Sequence, residues 1–337
     1  MALALKPAGA IYTLGARLRD AMTRPFHASV PVVCIGNPTL GGAGKTPTAV
    51  AVARALATMG MAPHFLSRGY GGKLTGATDV DAKHHSAADV GDEPLLLARH
   101  APTHVSRDRV AGARQAAAAG ANVIVMDDGF QNPTLHKDVS FLVIDGAGGV
   151  GNGLVFPAGP LRAPLGGQIA RADALVVVGP GAGGEAVAEE ARSAGVPVLL
   201  ASLRPDPAAR ILKGMPVFAF SGIGRPAKFL ETLAGLGARI AGHRDFADHH
   251  GYRAADIAQI KTLANKSGAK TIVTTEKDYV RLDEGNDPGG RFRAGVMPVP
   301  VSLKFADPAK LADLLAPVLP AMPRPEARAQ ASPDPSR

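Results

Sequence analysis

A glycine-rich loop followed by Lys45 and Thr46 has the residue types and spacing to bind phosphate. It lies between an apolar, β-branched run, VPVVCIG, and an Ala/Val-rich stretch typical of a helix. This order predicts a P-loop, in which backbone N–H groups and a helix N-terminus hold phosphate oxygens. Lys45 is expected to reach the β- and γ-phosphates, and the Thr46 hydroxyl to bind Mg²⁺. The predicted nucleotide-binding residues are Thr39, Leu40, Gly41, Gly42, Ala43, Gly44, Lys45 and Thr46.

The loop departs from the pattern G-x-x-x-x-G-K-[ST] at its first position, where Thr39 replaces glycine. The alternative interpretation is a glycine-rich turn with an unrelated lysine. Strand, glycines, Lys-Thr and helix nevertheless follow in the required order, which favours a nucleoside triphosphate site.

Two acidic pairs follow the P-loop. Asp127 and Asp128 end the apolar run NVIVM, as in a Walker B strand, where a carboxylate holds Mg²⁺ beside the P-loop. Asp92 and Glu93 precede Pro94, a favoured first-turn residue of a helix. Either pair also suits helix capping. A kinase, however, needs a group that accepts the hydroxyl proton, and Asp92 with Glu93 suits one base and one metal or arginine partner.

Several further polar residues allow two interpretations. Loop arginines can clamp phosphates or be ordinary surface charges, and they are Arg68, Arg107, Arg109 and Arg162. Lys277 is a candidate phosphate contact or a salt-bridged strand end. Asp248-His249-His250 resembles the DHH motif of metal phosphoesterases, but the other ligand patterns of that class are not evident. A histidine here can instead assist a catalytic aspartate.

Strand-like and helix-like segments alternate along the chain, which predicts an α/β fold with a doubly wound, mostly parallel sheet. Ligands bind such sheets at the carboxyl ends of the strands, where most of the polar clusters fall. The pattern restarts near residues 204–214. We therefore predict four regions: an N-terminal helix (1–26), a P-loop kinase domain (27–208), a smaller α/β domain (209–320) and a disordered tail (321–337).

The composition of the chain limits the classes of molecule that it is expected to bind. The chain has a formal net charge of +8, which suits an anionic nucleotide, nucleic acid or membrane. It has no Trp and four Tyr, which argues against nucleic-acid modules that stack bases on aromatic rings. Its single cysteine, Cys34, fits a reducing cytoplasmic compartment. The sequence contains neither a cleavable signal pattern nor an apolar stretch long enough to span a bilayer.

The N-terminal helix is predicted to be amphipathic. Its apolar positions are Ile11, Leu14, Leu18 and Met22, and its basic positions are Lys6, Arg17, Arg19 and Arg24. Such a helix either lies in a membrane interface or packs on the core.

Together these segments resemble the tetraacyldisaccharide 4′-kinases, also called lipid A 4′-kinases. Nine stretches match in family order over about residues 30–282: VVCIGNPTLGGAGKTP, LSRGYGG, GDEPLLLAR, VSRDRVAGA, VIVMDDGFQNPTLHKD, GNGLVFPAGPLR, FSGIGRP, FADHHGY and TTEKDYVRL. The departure at Thr39 is shared with that family. The resemblance implies transfer of the ATP γ-phosphoryl group to the 4′-hydroxyl of a tetraacyldisaccharide 1-phosphate. It also implies action at the cytoplasmic face of the bacterial inner membrane.

The resemblance also implies roles for individual residues. Asp92 corresponds to the base for the 4′-hydroxyl proton, assisted by a histidine of the DHH segment. His249 is the candidate, and the sequence does not decide between it and His250. Lys45 and Arg162 act on the transferring group. Thr46, Glu93, Asp127 and Asp128 surround Mg²⁺ and the phosphates. Many relatives have Glu after Arg162, where this chain has Ala163.

Two other functions would account for parts of the sequence. A P-loop nucleotide switch that acts on a protein partner, such as a GTPase, needs an N-K-x-D motif. The most similar string, Asn265-Lys266-Ser267-Gly268, ends in glycine. A non-catalytic nucleic-acid or membrane-binding protein leaves the P-loop and the acidic pairs unexplained. The sequence therefore predicts a lipid kinase with ATP and Mg²⁺, without nucleic acid or an obligate protein partner.

Overall fold

The structure is a computed structural model that describes residues 2–282 and 291–320. The strands are β1 (Val32–Gly36), β2 (Pro63–Ser67), β3 (Thr78–Asp79), β4 (Thr103–Val105), β5 (Val123–Asp127), β6 (Val139–Asp145), β7 (Ala174–Val178), β8 (Val198–Pro205), β9 (Pro216–Ser221), β10 (Arg239–Asp245), β11 (Thr271–Thr275), β12 (Val296–Val299) and β13 (Val301–Phe305). The helices are α1 (Lys6–Met22), α2 (Lys45–Thr58), α3 (Ala87–Val90), α4 (Asp92–Leu97), α5 (Arg109–Ala118), α6 (Leu165–Ile169), α7 (Ala182–Ser193), α8 (Pro226–Gly235), α9 (Ala254–Ser267), α10 (Glu276–Tyr279), α11 (Arg291–Ala294) and α12 (Pro308–Leu315).

A nine-stranded sheet forms the larger part of the molecule, in the order β13-β8-β7-β6-β1-β5-β2-β4-β3. Its strands are parallel except the two edge strands, β3 and β13, which run antiparallel to their neighbours. Strand β1 is central, and all five of its residues are buried because both faces of the sheet are covered. The predicted α/β, doubly wound, mostly parallel fold is confirmed.

The connections of the sheet change side at β1. From β1 the chain continues to β2 on one side, and it later returns to β6 on the other side. This change of side opens a crevice at the carboxyl ends of the strands, which is the usual ligand position in such sheets. Ile35 of β1 lies opposite Asp127 of β5, so the P-loop and the Asp127-Asp128 pair reach the same edge.

A second, smaller sheet of four parallel strands has the order β10-β9-β11-β12. Its two faces pack in separate apolar clusters, one around Phe218, Phe220 and Tyr252 and the other around Val217 and Leu233. The smaller α/β unit that the sequence predicted is therefore present.

The end of this unit differs from the prediction. The sequence grouped PVPVSLKF and all residues to 320 with the smaller sheet, but Pro300 separates β12 from β13. Strand β13 pairs with β8 of the large sheet, and Leu311 and Leu315 of α12 are buried in the large core. The chain leaves the smaller sheet at Pro300, whose carbonyl already accepts from the Asp206 N–H at 2.9 Å, directly after β8 of the large sheet.

The predicted N-terminal helix is present as α1, preceded by a short 3₁₀ helix at Ala2–Leu5. Gly9 is the buried residue of α1. A Cβ at Gly9 would lie 3.2 Å from the Val155 carbonyl oxygen, so glycine permits the close contact with that loop. The predicted disordered tail (321–337) lies outside the described residues.

Candidate active site

The predicted P-loop connects β1 to α2, and its conformation depends on glycine. Gly41 and Gly44 have φ values of 108° and 90°, which side-chain-bearing residues rarely adopt. Asn37 holds the loop by donating from Nδ2 to the Gly41 carbonyl at 3.0 Å, and its Oδ1 accepts from Lys45 Nζ at 3.1 Å. Lys45 is thus held at the start of α2, where phosphates bind.

The remaining predicted nucleotide-binding residues line the same loop. Thr39 pairs with Leu161 in an isolated bridge, and Leu40 donates its N–H to the Pro160 carbonyl at 2.8 Å. Leu40 is exposed, whereas Ala43 is buried. The first half of the loop is therefore fixed to the 160–162 segment, and the second half enters the helix.

The Asp127-Asp128 pair lies directly beside this loop. Thr46 Oγ1 donates to Asp127 Oδ2 at 3.1 Å, and Lys45 Nζ lies 3.6 Å from Asp128 Oδ1. Oδ1 of each aspartate is buried without a hydrogen bond among the residues that the structure describes. Buried carboxylate oxygens that lack a donor are suited to a cation.

The charges around the two aspartates have opposite effects on them. Burial raises the pKa of Asp127, and the neighbouring Glu93 carboxylate raises it further. Burial also opposes ionisation of Asp128, but the charges of Lys45 and Arg162 hold the pKa of Asp128 below its usual value. The charge of Glu93 therefore links the GDEP segment electrostatically to the Asp127-Asp128 pair.

Arg162 completes the P-loop side of the site. Its Nη2 donates to Asp128 Oδ2 at 3.3 Å, its Nε to the Thr39 carbonyl at 3.1 Å and its Nη1 to Gln131 Oε1 at 3.4 Å. The guanidinium therefore lies between the loop and the acidic pair, as a phosphate-binding arginine would. The other loop arginines differ, since Arg109 is buried against the Ser106 carbonyl and Arg68 and Arg107 are exposed.

Asp92 lies at the start of α4 and does not cap the helix, since the N-cap is Gly91 and no side chain caps it. A Cβ at Gly91, whose φ is 92°, would lie 2.6 Å from the Tyr70 carbonyl oxygen. Asp92 is 6% exposed, and its Oδ2 accepts from Arg281 Nε at 2.7 Å and also from Arg281 Nη2. The carboxylate is thus held by a residue of the smaller unit.

The DHH segment meets Asp92 through one of its two histidines. His249 Nδ1 lies 3.2 Å from Asp92 Oδ2, and His249 Nε2 lies 3.2 Å from Lys277 Nζ. His250 instead contacts Asp256 at 3.1 Å and stacks on Phe246. His249 has a φ of 58°, a strained value that turns its side chain away from that of its neighbour.

Positive charge surrounds the Asp92 carboxylate. Lys277 Nζ lies 3.9 Å from Asp92 Oδ2 and 3.2 Å from Glu93 Oε1. Burial alone would raise the pKa of Asp92, but the hydrogen bond with His249 and the charges of Lys277 and Arg281 hold it well below its usual range. Asp92 therefore remains ionised and firmly oriented.

Sequence reasoning missed the residues that support this arrangement. Arg281 also donates from Nη1 to Asp278 Oδ1 at 3.0 Å, and Tyr252 donates to the same oxygen at 2.8 Å. Asp278 lies in α10 and Arg281 just after it, both within TTEKDYVRL, and Asn37 directly follows β1, so their presence in the matching stretches was visible. Their partners in space were not.

A P-loop with Lys45 and Thr46, an acidic pair on the adjacent strand, and a charged carboxylate–histidine pair across the crevice define a P-loop phosphotransferase. Residues 1–320 match the family model described as tetraacyldisaccharide-1-P 4′-kinase. The chain belongs to this family. It is a kinase of lipid A biosynthesis, and a nucleotide switch is not favoured.

Individual relatives agree with this assignment. The chain is 54% identical to the tetraacyldisaccharide 4′-kinase of Methylobacterium nodulans, covering 96% of this chain and 94% of that protein. It is 51% identical to the enzyme of the same name from Bradyrhizobium sp., covering 93% and 90%. The crystal structure of LpxK from Aquifex aeolicus, in complex with ATP, superposes with a TM-score of 0.73 at 27% identity, covering 94% of this chain and 99% of that one.

Proposed function

We propose that this kinase transfers the γ-phosphoryl group of ATP to the 4′-hydroxyl of tetraacyldisaccharide 1-phosphate at the crevice between its two sheets. The observation that supports this most directly is that two clusters of charged residues, one from each part of the molecule, face the same crevice. Lys45, Asp127 and Asp128 approach from the large sheet, and His249 and Lys277 approach Asp92 and Glu93 from the smaller unit. A phosphate donor and a hydroxyl acceptor can thus be held side by side.

The residues present fit a Mg²⁺ ion, because the buried Oδ1 atoms of Asp127 and Asp128 have no hydrogen-bond donor in the described part of the chain. We propose that these two aspartates, Thr46 and Glu93 hold it together with substrate phosphates. No three carboxylate, histidine or cysteine side chains among residues 2–282 and 291–320 could hold an ion by themselves. When bound, Mg²⁺ neutralises charge on the phosphates of the nucleotide.

We propose that Lys45 and Arg162 stabilise the transferring phosphoryl group, because both cations now pair with Asp128 beside the loop. The loop from Thr39 to Gly44 supplies backbone N–H groups for the β- and γ-phosphates. Since Lys45 is mostly buried, its charge acts where water screens it little.

The Asp92–His249 pair is proposed to take the proton of the 4′-hydroxyl. Sequence similarity suggested Asp92 as the base with a histidine assisting it. The geometry favours His249 Nε2 as the accepting atom, because Asp92 Oδ2 already accepts from Arg281 and faces His249 Nδ1. Nε2 faces Lys277 Nζ at 3.2 Å, and the acceptor hydroxyl would take the place of Lys277 there. An ionised Asp92 would then orient the ring and stabilise its protonated form.

Paired histidine variants test this role. We expect His249→Ala to lower kcat by about 100-fold or more, as for loss of a general base. ATP affinity should change little, because His249 contacts the acceptor side of the crevice. His250→Ala is the matched control, and it should keep kcat within about three-fold. Loss of ATP binding in His249→Ala, or equal losses in both variants, would contradict the assignment.

We also propose that α1 attaches the enzyme peripherally to the cytoplasmic face of the inner membrane. Ile11, Leu14, Leu18 and Met22 are 73%, 58%, 56% and 85% exposed, which supports a membrane interface rather than core packing. Basic residues on the same helix would attract anionic lipids. None of the helices among the described residues has the length and apolarity to cross a bilayer.

The four-stranded sheet is proposed to form a separate domain that closes over the acceptor headgroup. Ion pairs join it to the part of the chain that carries the large sheet, among them Asp92 with Arg281 and Asp145 with Arg225 and Lys228. Closure of this kind excludes water, which competes as a phosphoryl acceptor. We propose that the kinase acts without an obligate protein partner and does not bind nucleic acid.

A further inference from the structure

A cavity of about 310 Å³ lies between α1 and the loops that follow β5 and β6. Arg162 lines one part of it and also donates to Asp128 in the active site. Arg19, Asp20 and Arg171 line another part. A ligand in this cavity would therefore contact the reaction centre and a second group of charged residues at once.

Positive charge predominates in the cavity lining, which includes three arginines and one carboxylate. Asp20 holds two of these arginines, since its Oδ1 lies 3.4 Å from Arg19 Nη2 and its Oδ2 lies 3.3 Å from Arg171 Nη1. Arg19 also donates to the Gln131 carbonyl at 3.3 Å. The guanidinium carbon of Arg171 lies 5.5 Å from the centroid of the Phe130 ring, which fixes its plane further.

The two outer arginines remain available to a ligand. The side chains of Arg19 and Arg171 are 58% and 48% exposed, and exposed Arg–Asp pairs contribute little stability. Two oriented guanidinium groups match the geometry of a phosphate, which accepts paired hydrogen bonds. Ile11 and Tyr12 of α1 form an apolar side of the same cavity. The lining thus suits an amphiphile that has a phosphate at one end.

We propose that Arg19 and Arg171 bind the 1-phosphate of the disaccharide acceptor, while Arg162 lies beside the reacting 4′ end. This assignment rests on the proposed function, because it takes the acceptor from it. The acceptor's two ends are chemically different, and the arginines of the cavity fall into two sets: Arg162 pairs with Asp128 beside the P-loop, whereas Arg19 and Arg171 pair with Asp20 of α1. Arg19 and Arg171 therefore select acceptors that carry a 1-phosphate and fix their direction in the crevice. The headgroup phosphate of an anionic membrane lipid has the same chemistry and is the other source to be tested.

The test compares Arg19→Gln and Arg171→Gln with wild-type enzyme on two acceptors, one with and one without the 1-phosphate. Both are presented in neutral detergent micelles without anionic lipid. We expect each substitution to raise KM for the 1-phosphorylated acceptor about 10- to 100-fold, the loss of a charge-assisted contact. kcat and the KM for ATP should stay within about three-fold. With the acceptor that lacks the 1-phosphate, variants and wild type should have the same KM.

Arg192→Gln is the matched control, because Arg192 pairs with Glu189 at 3.1 Å, is 54% exposed and lies on α7 outside the cavity. It should match wild type on both acceptors. Equal KM increases on both acceptors, or none on either, would overturn the proposal. The proposal would also be overturned if Arg19→Gln and Arg171→Gln kept the wild-type KM but sedimented less with anionic vesicles, since the cavity would then bind a membrane lipid. Wild-type enzyme that phosphorylates neither acceptor would overturn the proposed function itself, and this proposal with it.

Discussion

Replacing Arg281 with glutamine removes the main contact between Asp92 and the smaller sheet. Arg281 is 5% exposed at its side chain and donates to Asp92 through Nε and Nη2. Its Nη1 donates to the Gly222 carbonyl at 2.7 Å and to Asp278 Oδ1 at 3.0 Å. A glutamine amide can replace only part of this set, so buried carboxylate oxygens lose their cation.

The expected loss follows from burial. Asp92 and Asp278 are 6% and 0% exposed at their side chains, and both remain without the guanidinium after substitution. Removing one partner of a buried ion pair costs about 3–5 kcal/mol, because the other charge is left uncompensated. Lys277 and His249 offset part of this for Asp92. We therefore expect the free energy of unfolding to fall by about 3 kcal/mol.

Urea unfolding at pH 7 measures this loss, and Arg99→Gln provides a matched control. Arg99 pairs with Glu276 at 3.4 Å and also joins the region of α4 to α10, but its side chain is 42% exposed. Its loss should cost less than about 1 kcal/mol. Equal, small losses in Arg281→Gln and Arg99→Gln would refute the reasoning. We also expect the double variant Asp92→Asn/Arg281→Gln to lose less than the sum of the single variants, because it removes one of the two carboxylate charges that Arg281→Gln leaves unpaired.

Three further predictions concern pH, the metal and the membrane. Burial opposes ionisation of Asp145, but Lys228, the Gly148 N–H and Arg225 hold the pKa of Asp145 below its usual value. The stability advantage of wild type over Asp145→Asn should therefore be full above about pH 5 and decrease as pH falls below about 4 in urea unfolding. Thr46→Val should raise the Mg²⁺ concentration for half-maximal turnover about 10-fold, whereas Thr46→Ser should not. The double variant Leu14→Gln/Leu18→Gln should sediment less with anionic vesicles. Ile211→Gln is the control, because Ile211 is similarly exposed but lies outside α1, and it should sediment as wild type does. Equal sedimentation of wild type, the double variant and the control would contradict membrane attachment through α1.

Much of the nucleotide-binding part of the site could be predicted, because the sequence patterns that indicate it are local. Buried parallel strands are continuous apolar runs, and VVCIG and VIVMD were therefore identified from sequence. Parallel strands end at one edge, which brings Lys45 and Asp127 together without any knowledge of side-chain packing. The amphipathic pattern likewise predicted α1.

The rest depends on contacts between distant segments. Arg281 and Asp92 are 189 positions apart, and no local pattern links an arginine that follows α10 to a carboxylate at the start of α4. His249 and His250 are adjacent, so only backbone conformation decides which one reaches Asp92. Strand β13 has the same alternation wherever it pairs, and its return to the large sheet is decided by the core that Leu311 and Leu315 complete.

Transfer of label from γ-labelled ATP to tetraacyldisaccharide 1-phosphate in detergent micelles, with Lys45→Ala in parallel, tests the central claim most directly. We expect label to appear as a 4′-phosphate on the lipid and to be lost in Lys45→Ala, because Lys45 holds the phosphates at the P-loop. ATP hydrolysis without labelled lipid, or transfer that Lys45→Ala leaves unchanged, would contradict a phosphoryl transfer at this crevice.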